Sequence, residues 1–297
     1  MSDQRPKKSP YFYLALCILL WASIPVATKK ILIELDNIQT LFYSTIFSTA
    51  VMGILVLVEN KSKLLKGYGP KKILFMAVLG FLGNYFYYIL LYAAFERTTA
   101  AEAFILEYTW PLMVLLLSFF ILKEKVTVLK LIGIAISFFG IVVITTQGQL
   151  TSVSFTNLYG NLLAICSAVV FALFSVLGKK SDFDHTVSVF IYFLAALIYS
   201  IPTVFFFSSF KLPSIRTWLW IIYNGVFVNG ISYVFWFKAL KGGKTHLISN
   251  LLYLTPFVSL IYIALLLGEK IHPSSVIGLI IIVSGVGSQY LGNKNRT

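Results

Sequence analysis

The chain has 297 residues, of which 58% are hydrophobic and only 12% are charged. Soluble domains carry about 25% charged residues, so this composition argues against a soluble domain and favours an integral membrane protein. The net charge of +13 could indicate a nucleic-acid partner, but the lysines lie in clusters between apolar runs, and we predict no nucleic-acid binding.

Apolar runs recur along the chain with short polar breaks between them. A helix of about 20 apolar residues crosses the hydrocarbon layer of a bilayer, and ten runs come close to this length. We therefore predict an all-α integral membrane protein with ten transmembrane helices. Their predicted ranges are 11–29, 38–58, 73–95, 101–121, 128–146, 160–178, 187–207, 218–238, 246–267 and 273–291.

Lysine and arginine are distributed unequally between the predicted loops. With the N-terminus placed in the cytoplasm, the cytoplasmic segments hold 18 of these residues and the external segments hold six. Cytoplasmic loops of membrane proteins carry the excess of Lys and Arg. We therefore predict a multi-pass protein of the cell (inner) membrane with both termini in the cytoplasm, and the net positive charge follows from this topology.

The two halves of the chain match each other at an offset of 145 residues, without a gap from position 80 to 140. The matched pairs are Gly80/Gly225, Asn84/Asn229, Tyr88/Tyr233, Ala94/Ala239, Tyr108/Tyr253, Pro111/Pro256, Leu122/Leu267, Glu124/Glu269, Lys125/Lys270, Gly133/Gly278 and Gly140/Gly285. Chance agreement in a Leu/Ile/Gly-rich chain is the alternative. We predict two five-helix repeat domains, 1–146 and 160–297, joined by an external linker at 147–159.

An odd number of helices per repeat determines how the two copies are related. A second copy of five helices must enter the membrane from the side opposite to the first. The predicted architecture is therefore a 5+5 inverted repeat about a pseudo-two-fold axis in the membrane plane. Such symmetry is typical of transporters, because two copies of one bundle can rock around a site between them.

Two matched stretches carry a family resemblance. They read Leu122-Lys123-Glu124-Lys125 after the helix with Pro111, and Leu267-Gly268-Glu269-Lys270 after the helix with Pro256. With the glycine pairs that follow, they resemble the EamA type of the drug/metabolite transporter (DMT) superfamily over essentially the whole chain. The resemblance implies ten helices, a 5+5 inverted repeat, a central cavity lined by helices 1–4 and 6–9, and helices 5 and 10 packed together at one side.

The segment Glu107-Tyr108-Thr109-Trp110-Pro111 is similar to the Tyr-x-Trp-Pro stretch of aromatic amino-acid exporters in this superfamily. Those exporters have a neutral residue at the position of Glu107. Because the chain departs from their pattern there, the resemblance does not extend to their substrate.

Glu107 is the first candidate for chemistry, since it lies roughly 6 Å from the middle of predicted helix 4 at a rise of 1.5 Å per residue. A carboxylate at that depth is costly unless it faces a cavity or a partner. It could carry protons, pair with a substrate amine, or bond structurally to a Tyr or Asn. The equivalent residue in the second repeat is Leu252, and this asymmetry favours a role of Glu107 in substrate binding.

Glu102, near the outer end of the same helix, is a second coupling candidate, or a solvated interfacial acid.

Aromatic and amide side chains complete the predicted binding site. The predicted substrate-binding residues are Glu107, Tyr88, Tyr233, Asn84, Asn229, Trp21, Tyr108 and Trp110. Aromatic rings could hold an organic ligand by stacking or cation–π contact, and the alternative is ordinary helix packing or an interfacial belt. The matched asparagines either bind substrate or join helices.

Pro111 and Pro256 are the predicted hinges, because proline frees a backbone carbonyl and kinks a helix. Static bends are the alternative. His185, His246 and His272 have no second His or Cys at ligand spacing, so we predict no metal site. The chain also lacks nucleotide-binding and nucleophile motifs, and we predict neither a cofactor nor an enzyme.

These features predict a secondary transporter that exports small organic metabolites, amino acids or related amines, in exchange with protons. Its expected partners are a small-molecule substrate, the lipid bilayer and protons, and a homodimer is left open. The alternative is an importer or exchanger of anionic or nucleotide-type metabolites, in which Lys29, Lys30 and Lys179 would meet the substrate. A membrane scaffold or membrane enzyme would need an extra soluble domain or a polar catalytic cluster, and the sequence has neither.

Overall fold

The computed structural model describes residues 9–122, 128–146, 148–149, 157–178, 181, 183–242 and 251–294. Regular secondary structure in these residues is helical throughout, without a strand. Six helices are long and apolar enough to cross a membrane: Pro10–Ile31, Asn37–Val58, Pro70–Arg97, Leu158–Gly178, His185–Phe207 and Ile215–Trp236. Shorter apolar helices are Ala135–Ile144, Thr255–Leu267 and Pro273–Gly285. The prediction of an all-α membrane protein is confirmed.

The helices fall into two sets on either side of the linker. The first set is α1 (Pro10–Ala22), α2 (Ile24–Ile31), α3 (Asn37–Val58), α4 (Ser62–Gly67), α5 (Pro70–Gly80), α6 (Tyr87–Arg97), α7 (Ala100–Glu107), α8 (Trp110–Leu122) and α9 (Val128–Thr145). The second set is α10 (Leu158–Gly178), α11 (His185–Phe207), α12 (Ile215–Ile222), α13 (Ser232–Gly242), α14 (Thr255–Tyr262) and α15 (Pro273–Lys294). The short helix α4 lies in a segment that was predicted to be a break.

Helix breaks occur at matched positions in the two sets. A turn at 108–109 separates α7 from α8, and at the offset of 145 residues a turn at 253–254 precedes α14. A proline ring clashes with the carbonyl of the residue four positions earlier and offers that carbonyl no N–H. The residue four positions before Pro111 is Glu107, and the residue four positions before Pro256 is Leu252. The predicted continuous helix 101–121 is therefore two helices, and the break at 108–109 directly follows Glu107.

Two π-helical turns also lie at matched positions. Phe81–Phe86 joins α5 to α6, and Tyr223–Ile231 joins α12 to α13. These turns contain the matched Asn84 and Asn229. A π-helical turn accommodates extra residues in the helix, so it rotates the face that the following helix presents. A third π-helical turn, Ile263–Leu267, continues α14.

Residues at both ends tie α3 to α11. Asp36 caps the N-terminus of α3, where its Oδ1 accepts the Gln39 N–H at 2.7 Å, and its Oδ2 accepts the hydroxyl of Ser208 just beyond α11. At the other end, Asp184 caps the N-terminus of α11, and its Oδ2 lies 3.0 Å from Lys61 Nζ just beyond α3. Each helix therefore begins with an aspartate that also holds the end of its partner.

Helices α9 and α15 approach each other through glycines. A Cβ added to Gly140 would lie 2.8 Å from the Gly278 carbonyl oxygen, and one added to Gly285 would lie 2.6 Å from that of Gly133. Residue numbers rise along one helix as they fall along the other, so the two helices are antiparallel. The offset of 145 residues exchanges these two contacts. The packing of predicted helices 5 and 10 against each other is confirmed.

The bundle has two ends, which we name by their loops. The N-terminal face carries residue 9 and the loops 59–69 and 183–184, and the linker face carries 32–36, 98–99, 148–149 and 268–272. Helix α10 runs between these faces. Its Gly160 packs against Thr98 on the linker face, and Gly178 lies ~27 Å further along the helix at 1.5 Å per residue.

Three predicted features lie outside the described residues. They are the Glu124-Lys125 turn, most of the linker 147–159, and residues 246–250 at the start of predicted helix 9.

Candidate functional site

A cavity of about 430 Å³ lies within the bundle, between helices of both sets. Its described lining residues are Trp21, Ile24, Tyr87, Tyr88, Phe104, Glu107, Tyr108, Trp110, Phe171, Phe174, Ser175, Gly178, Ser181, Phe183, His185, Ser188, Val189, Tyr192, Tyr233, Trp236 and Leu252. Twelve of these are Phe, Tyr or Trp. A concave site of this volume with mostly apolar walls has the character of a small-molecule binding site.

Glu107 is the one acidic residue in the described lining of this cavity, and the same lining contains no lysine or arginine. Its side chain is 3% exposed. The Tyr87 hydroxyl donates a hydrogen bond to Glu107 Oε1 at 2.9 Å. An ionised carboxylate removed from water is costly without a partner, and one neutral hydroxyl does not supply a countercharge. The site is therefore suited to receive a proton or an organic cation.

Local backbone structure places this carboxylate in the cavity. Glu107 is the last residue of α7, directly before the turn at 108–109. Thr109 closes the turn through its hydroxyl, which donates to the Leu106 carbonyl at 2.7 Å. The matched break places Leu252 in the lining of the same cavity, so equivalent positions of the two sets meet there with different side chains.

Aromatic rings form the walls around the carboxylate. Tyr87 packs against Tyr88 with ring centroids 4.7 Å apart and against Phe171 at 4.9 Å. Phe171 contacts Trp110 at 5.2 Å. These rings belong to α6, α8 and α10, so the wall is assembled from distant parts of the chain, and faces and edges of rings are available to a cationic or flat ligand.

Trp21 and Tyr233 form a second part of the wall. Their ring centroids are 5.8 Å apart, and Trp21 also lies 5.7 Å from Trp236. The indole N–H of Trp21 donates to Ser232 Oγ at 2.7 Å, which satisfies its polar atom and holds the ring against α13. Six of the predicted binding residues therefore line one cavity: Glu107, Tyr88, Tyr233, Trp21, Tyr108 and Trp110.

The matched asparagines are buried but lie outside the described lining of the cavity. Asn229 Nδ2 is 3.4 Å from the Tyr92 hydroxyl, which also accepts from Asn224 Nδ2 at 2.9 Å. Asn84 Nδ2 has no hydrogen-bond partner in the part of the chain that the structure describes. Asn229 and Asn224 therefore meet at one tyrosine hydroxyl, outside the described cavity lining.

Glu102 is also buried, yet it lies outside the described cavity lining. Its Oε2 accepts the Thr98 hydroxyl at 2.8 Å. Lys29, which the anionic-substrate alternative needs, donates to the Thr98 carbonyl at 2.7 Å, and neither Lys29 nor Lys30 is in the described lining. Lys179 lies outside the described residues.

Tyr87, which bonds to Glu107, is one of the site residues that the sequence analysis did not predict. In the sequence, Tyr85, Tyr88 and Tyr92 stand at the i, i+3 and i+7 spacing of one helix face. Of these, only Tyr88 is in the described lining. Tyr85 instead shares a hydrogen bond of 2.6 Å with Thr203.

A smaller cavity of about 140 Å³ adjoins the first at the N-terminal face and shares His185, Val189 and Tyr233 with it. Its remaining described lining is Met52, Glu59, Lys61, Asp184, Thr186, Val234 and Lys238. The charged residues Glu59, Lys61, Asp184 and Lys238 form a polar rim at this face.

Lys61 lies between two carboxylates of that rim. Its Nζ is 2.7 Å from Glu59 Oε2 and 3.0 Å from Asp184 Oδ2. Partial burial opposes ionisation of both acids, but hydrogen bonds from Lys61 outweigh it and lower the pKa of Glu59 and the pKa of Asp184. Burial likewise opposes the charge of Lys61, and the two carboxylates outweigh it and raise the pKa of Lys61. Lys61 therefore stabilises both carboxylates, and they stabilise its charge.

Comparison with known proteins agrees with this architecture. One solved crystal structure superimposes with a TM-score of 0.69 at 22% identity, covering 97% of this chain and 99% of that chain, and it supports the fold. A protein described as an uncharacterized transporter of Archaeoglobus fulgidus is 29% identical over 93% of this chain and 95% of its own length. The uncharacterized transporter YxxF of Bacillus subtilis is 24% identical over 96% and 90%.

The model of the EamA-like transporter family matches twice, at residues 8–146 and 158–288. These two matches cover both helix sets and leave out only the linker and the chain ends. Transporters rather than enzymes make up this family and these relatives, which agrees with an internal cavity bounded by membrane-length helices. The chain belongs to the EamA-like transporter family.

Proposed function

We propose that this transporter exports small organic amines or amino acids across the inner membrane in exchange with protons. The observation that carries the proposal is Glu107, a lone carboxylate in an aromatic cavity whose described lining has no lysine or arginine. In a medium of low dielectric constant, a carboxylate attracts a cation far more strongly than it does in water. A proton and an organic ammonium group therefore compete for Glu107, and this competition would couple their movements.

The aromatic walls would hold the apolar part of the substrate. Tyr88, Tyr108, Trp110, Trp21 and Tyr233 line the cavity with Glu107. Ring faces attract a desolvated cation by cation–π contact, worth about 2 kcal/mol in favourable cases, and they stack on flat groups. The expected substrate is a small amine whose positive group faces Glu107 and whose apolar body lies against these rings.

We further infer that the two helix sets form a 5+5 inverted repeat of ten transmembrane helices. The paired glycine contacts between the antiparallel helices α9 and α15 support it, because the repeat offset exchanges them. The aspartates that tie α3 to α11 at both ends support it as well. An isologous contact of this kind requires a two-fold axis across the helices, which inverts one copy relative to the other.

Within this arrangement, Pro111 and Pro256 are the proposed hinges. Each stands in the second position of a helix that follows a matched turn. A backbone carbonyl without a helical partner leaves the chain free to bend there. The excess of Lys and Arg on the N-terminal face supports a cytoplasmic location of both termini, so the cavity would reach toward the cytoplasm.

The matched asparagines and Glu102 have more modest proposed roles. Asn84 and Asn229 would join helices near the π-helical turns or bind a substrate that moves past the cavity. Glu102 would be a second coupling site only if a proton passes from Glu107 toward the linker face. We give these residues less weight than Glu107, because their side chains lie outside the described lining of the cavity.

The test of the proposal is efflux from proteoliposomes with an imposed pH gradient, using amino acids and small organic cations as substrates. Glu107→Gln should abolish gradient-driven flux, because the amide keeps the shape but carries neither the charge nor the exchangeable proton. Glu102→Gln separates the two coupling candidates, since it removes a buried carboxylate from the same helix but outside the described cavity lining. It should retain gradient-driven flux.

Three results would contradict parts of the proposal. Flux in Glu107→Gln that still follows the gradient would exclude Glu107 as the coupling residue. Wild-type flux that ignores the gradient would indicate facilitated diffusion or exchange in place of proton coupling. Loss of coupling in Glu102→Gln alone would move the coupling site to the linker face.

A further inference from the structure

Glu269 lies in the loop between α14 and α15 on the linker face, and its carboxylate reaches across to α7. Oε1 accepts the N–H of Ala100 at 2.9 Å, and Oε2 accepts the N–H of Ala101 at 3.1 Å. These residues belong to opposite halves of the chain. The first backbone N–H groups of a helix have no partner within the helix, and the carboxylate binds two of them with both of its oxygens.

The turn before Glu269 is built for this contact. Gly268 follows the π-helical turn at the end of α14 and has a φ of +67°, in the left-handed region. Residues other than glycine adopt that region at a cost. The glycine therefore lets the chain reverse directly after the helix and directs the Glu269 side chain to α7.

Lys29, near the end of α2, contacts the same region of the linker face, where Glu269 meets the start of α7. Its Nζ donates to the Thr98 carbonyl at 2.7 Å, and it attracts Glu269 electrostatically. The region that these two residues hold is closely packed, with Thr98 at 5% exposure and Ala101 at 4%. The end of α2, the start of α7 and the loop before α15 are thereby fastened together.

This corner closes one end of the main cavity. The lining of the cavity includes Phe104, which lies one helical turn, ~6 Å, from Ala100 along α7, and none of the fastening residues is in the described lining. In the other direction the lining extends past Gly178 to the exposed His185 on the N-terminal face. The cavity therefore reaches one face of the bundle and stops a turn short of the other.

We propose that Glu269, with Lys29, forms a latch that closes the cavity on the linker face, and that the latch must open before substrate can leave on that side. Alternating access requires that the site is never open to both sides of the membrane at once, so one end must be closed while the other is open. Two charge-assisted hydrogen bonds between the halves of the chain favour the state described here. The latch holds by backbone N–H groups, so its strength depends on the position of α7 and not on the side chains of α7.

The proposal rests on the protein being a transporter, but it does not depend on the substrate or on the role of Glu107. Its test is therefore the accessibility of the empty cavity. A reporter cysteine is introduced by Ser175→Cys, at a residue that lines the cavity. The background carries Cys17→Ala and Cys166→Ala, which remove the two native thiols. A membrane-impermeant maleimide is added from one side at a time, in right-side-out and in inside-out vesicles.

The unmodified latch should permit labelling from the N-terminal face and only slow labelling from the linker face. Glu269→Gln should raise the labelling rate from the linker face by about tenfold, because an amide forms weaker hydrogen bonds to the α7 N–H groups than a carboxylate does. Lys29→Met should raise it by a smaller factor. Glu96→Gln is the matched control, since it removes an exposed carboxylate of the same face that pairs with Arg97, and it should leave both rates unchanged.

Equal rates from the linker face in the reporter protein, Glu269→Gln and Lys29→Met would overturn the proposal. So would an equal rise in the Glu96→Gln control, which would indicate a general effect of surface charge. A Glu269→Gln protein that has lost defined labelling from both faces is misfolded, and the result for Lys29→Met then decides. Failure of the amine-transport proposal would leave these labelling rates unaffected.

Discussion

The turn after α7 and the turn before α14 occupy matched positions, but only the first directly follows a charged residue. Glu107 and Leu252 line the same cavity, and each stands four residues before a proline. The broken helix therefore recurs in both halves, whereas the carboxylate occurs in one. The comparison shows that the helix break is repeated and that the acidic residue of the described cavity lining belongs to the first half. Equivalent changes in the two halves should therefore have unequal effects at the cavity and equal effects elsewhere.

The largest expected difference is between Glu107→Leu and Leu252→Ala. Replacing the carboxylate should lower gradient-driven flux at least about 100-fold, which corresponds to roughly 2.8 kcal/mol at about 1.4 kcal/mol per tenfold change. Shortening Leu252 removes only apolar contacts. It should therefore lower flux by less than about tenfold, which corresponds to less than about 1.4 kcal/mol. Flux assays in proteoliposomes measure both. Similar losses in the two variants would show that the cavity depends on packing and not on its charge.

The glycine interface between α9 and α15 should instead respond equally in both halves. Gly140→Val and Gly285→Val each place a Cβ against a backbone carbonyl, at 2.8 Å and 2.6 Å. Such overpacking costs about 1–3 kcal/mol, so each variant should lower the melting temperature by a similar amount in detergent. Gly287→Val is the control, because a Cβ there meets no atom within 4 Å. A lower melting temperature in only one of the two interface variants would contradict the paired contacts.

Tyr87→Phe tests whether the carboxylate of the first half needs its hydrogen-bond donor. The Tyr87 hydroxyl bonds to Glu107, and a hydrogen bond to a charged group is worth about 1.5–3 kcal/mol at most. We expect the apparent affinity for a small organic cation to fall by about tenfold, measured by calorimetry. Tyr85→Phe removes a hydroxyl of the same region that bonds to Thr203, and it should have no such effect. An unchanged affinity in Tyr87→Phe would exclude Tyr87 as the residue that orients Glu107.

The smallest expected effect concerns the charged rim at the N-terminal face. Lys61→Met should lower the stability by under about 1 kcal/mol, because partly exposed ion pairs contribute little. The lowered pKa values of Glu59 and Asp184 and the raised pKa of Lys61 define the pH range of this contribution. It is lost as the pH falls through the lowered carboxylate values, and also as the pH rises through the raised lysine value.

Thermal unfolding of wild type and Lys61→Met across this range measures the contribution. The difference in melting temperature should be constant between about pH 5 and pH 10 and should shrink outside these limits. Lys63→Met replaces an exposed lysine nearby and serves as the control. A difference that persists unchanged at low pH would mean that Lys61 stabilises the protein by packing alone.

Much of the fold followed from the sequence, because hydropathy and repetition are long-range patterns. The membrane-length helices and the paired glycines of α9 and α15 were both predictable from these patterns. The break at 108–109 was not, since hydropathy continues through Tyr108 and Thr109. Pro111 was recognised as a disturbance, but its effect lies one turn earlier, at the carbonyl of Glu107.

The candidate site was predictable in its charge and only partly in its aromatic wall. Glu107 stood out because a carboxylate within an apolar helix is costly. Tyr87 did not, because the periodicity of an ideal α-helix placed Tyr85, Tyr88 and Tyr92 on one face. The π-helical turn Phe81–Phe86 contains Tyr85 and changes the rotation per residue just before Tyr87 and Tyr88. As a result, Tyr87 and Tyr88 face the cavity together while Tyr85 faces α11. Gly83 and Asn84 within a span were the local signal.

The most direct test of the central claim is proton release from the purified protein when a small organic cation binds. The measurement uses a weakly buffered solution, a pH-sensitive dye and the empty protein in detergent. The account predicts that wild type releases protons in proportion to the cation bound and that Glu107→Gln binds weakly and releases none. Equal release by both proteins, or tight cation binding without release by wild type, would contradict competition of proton and substrate at Glu107.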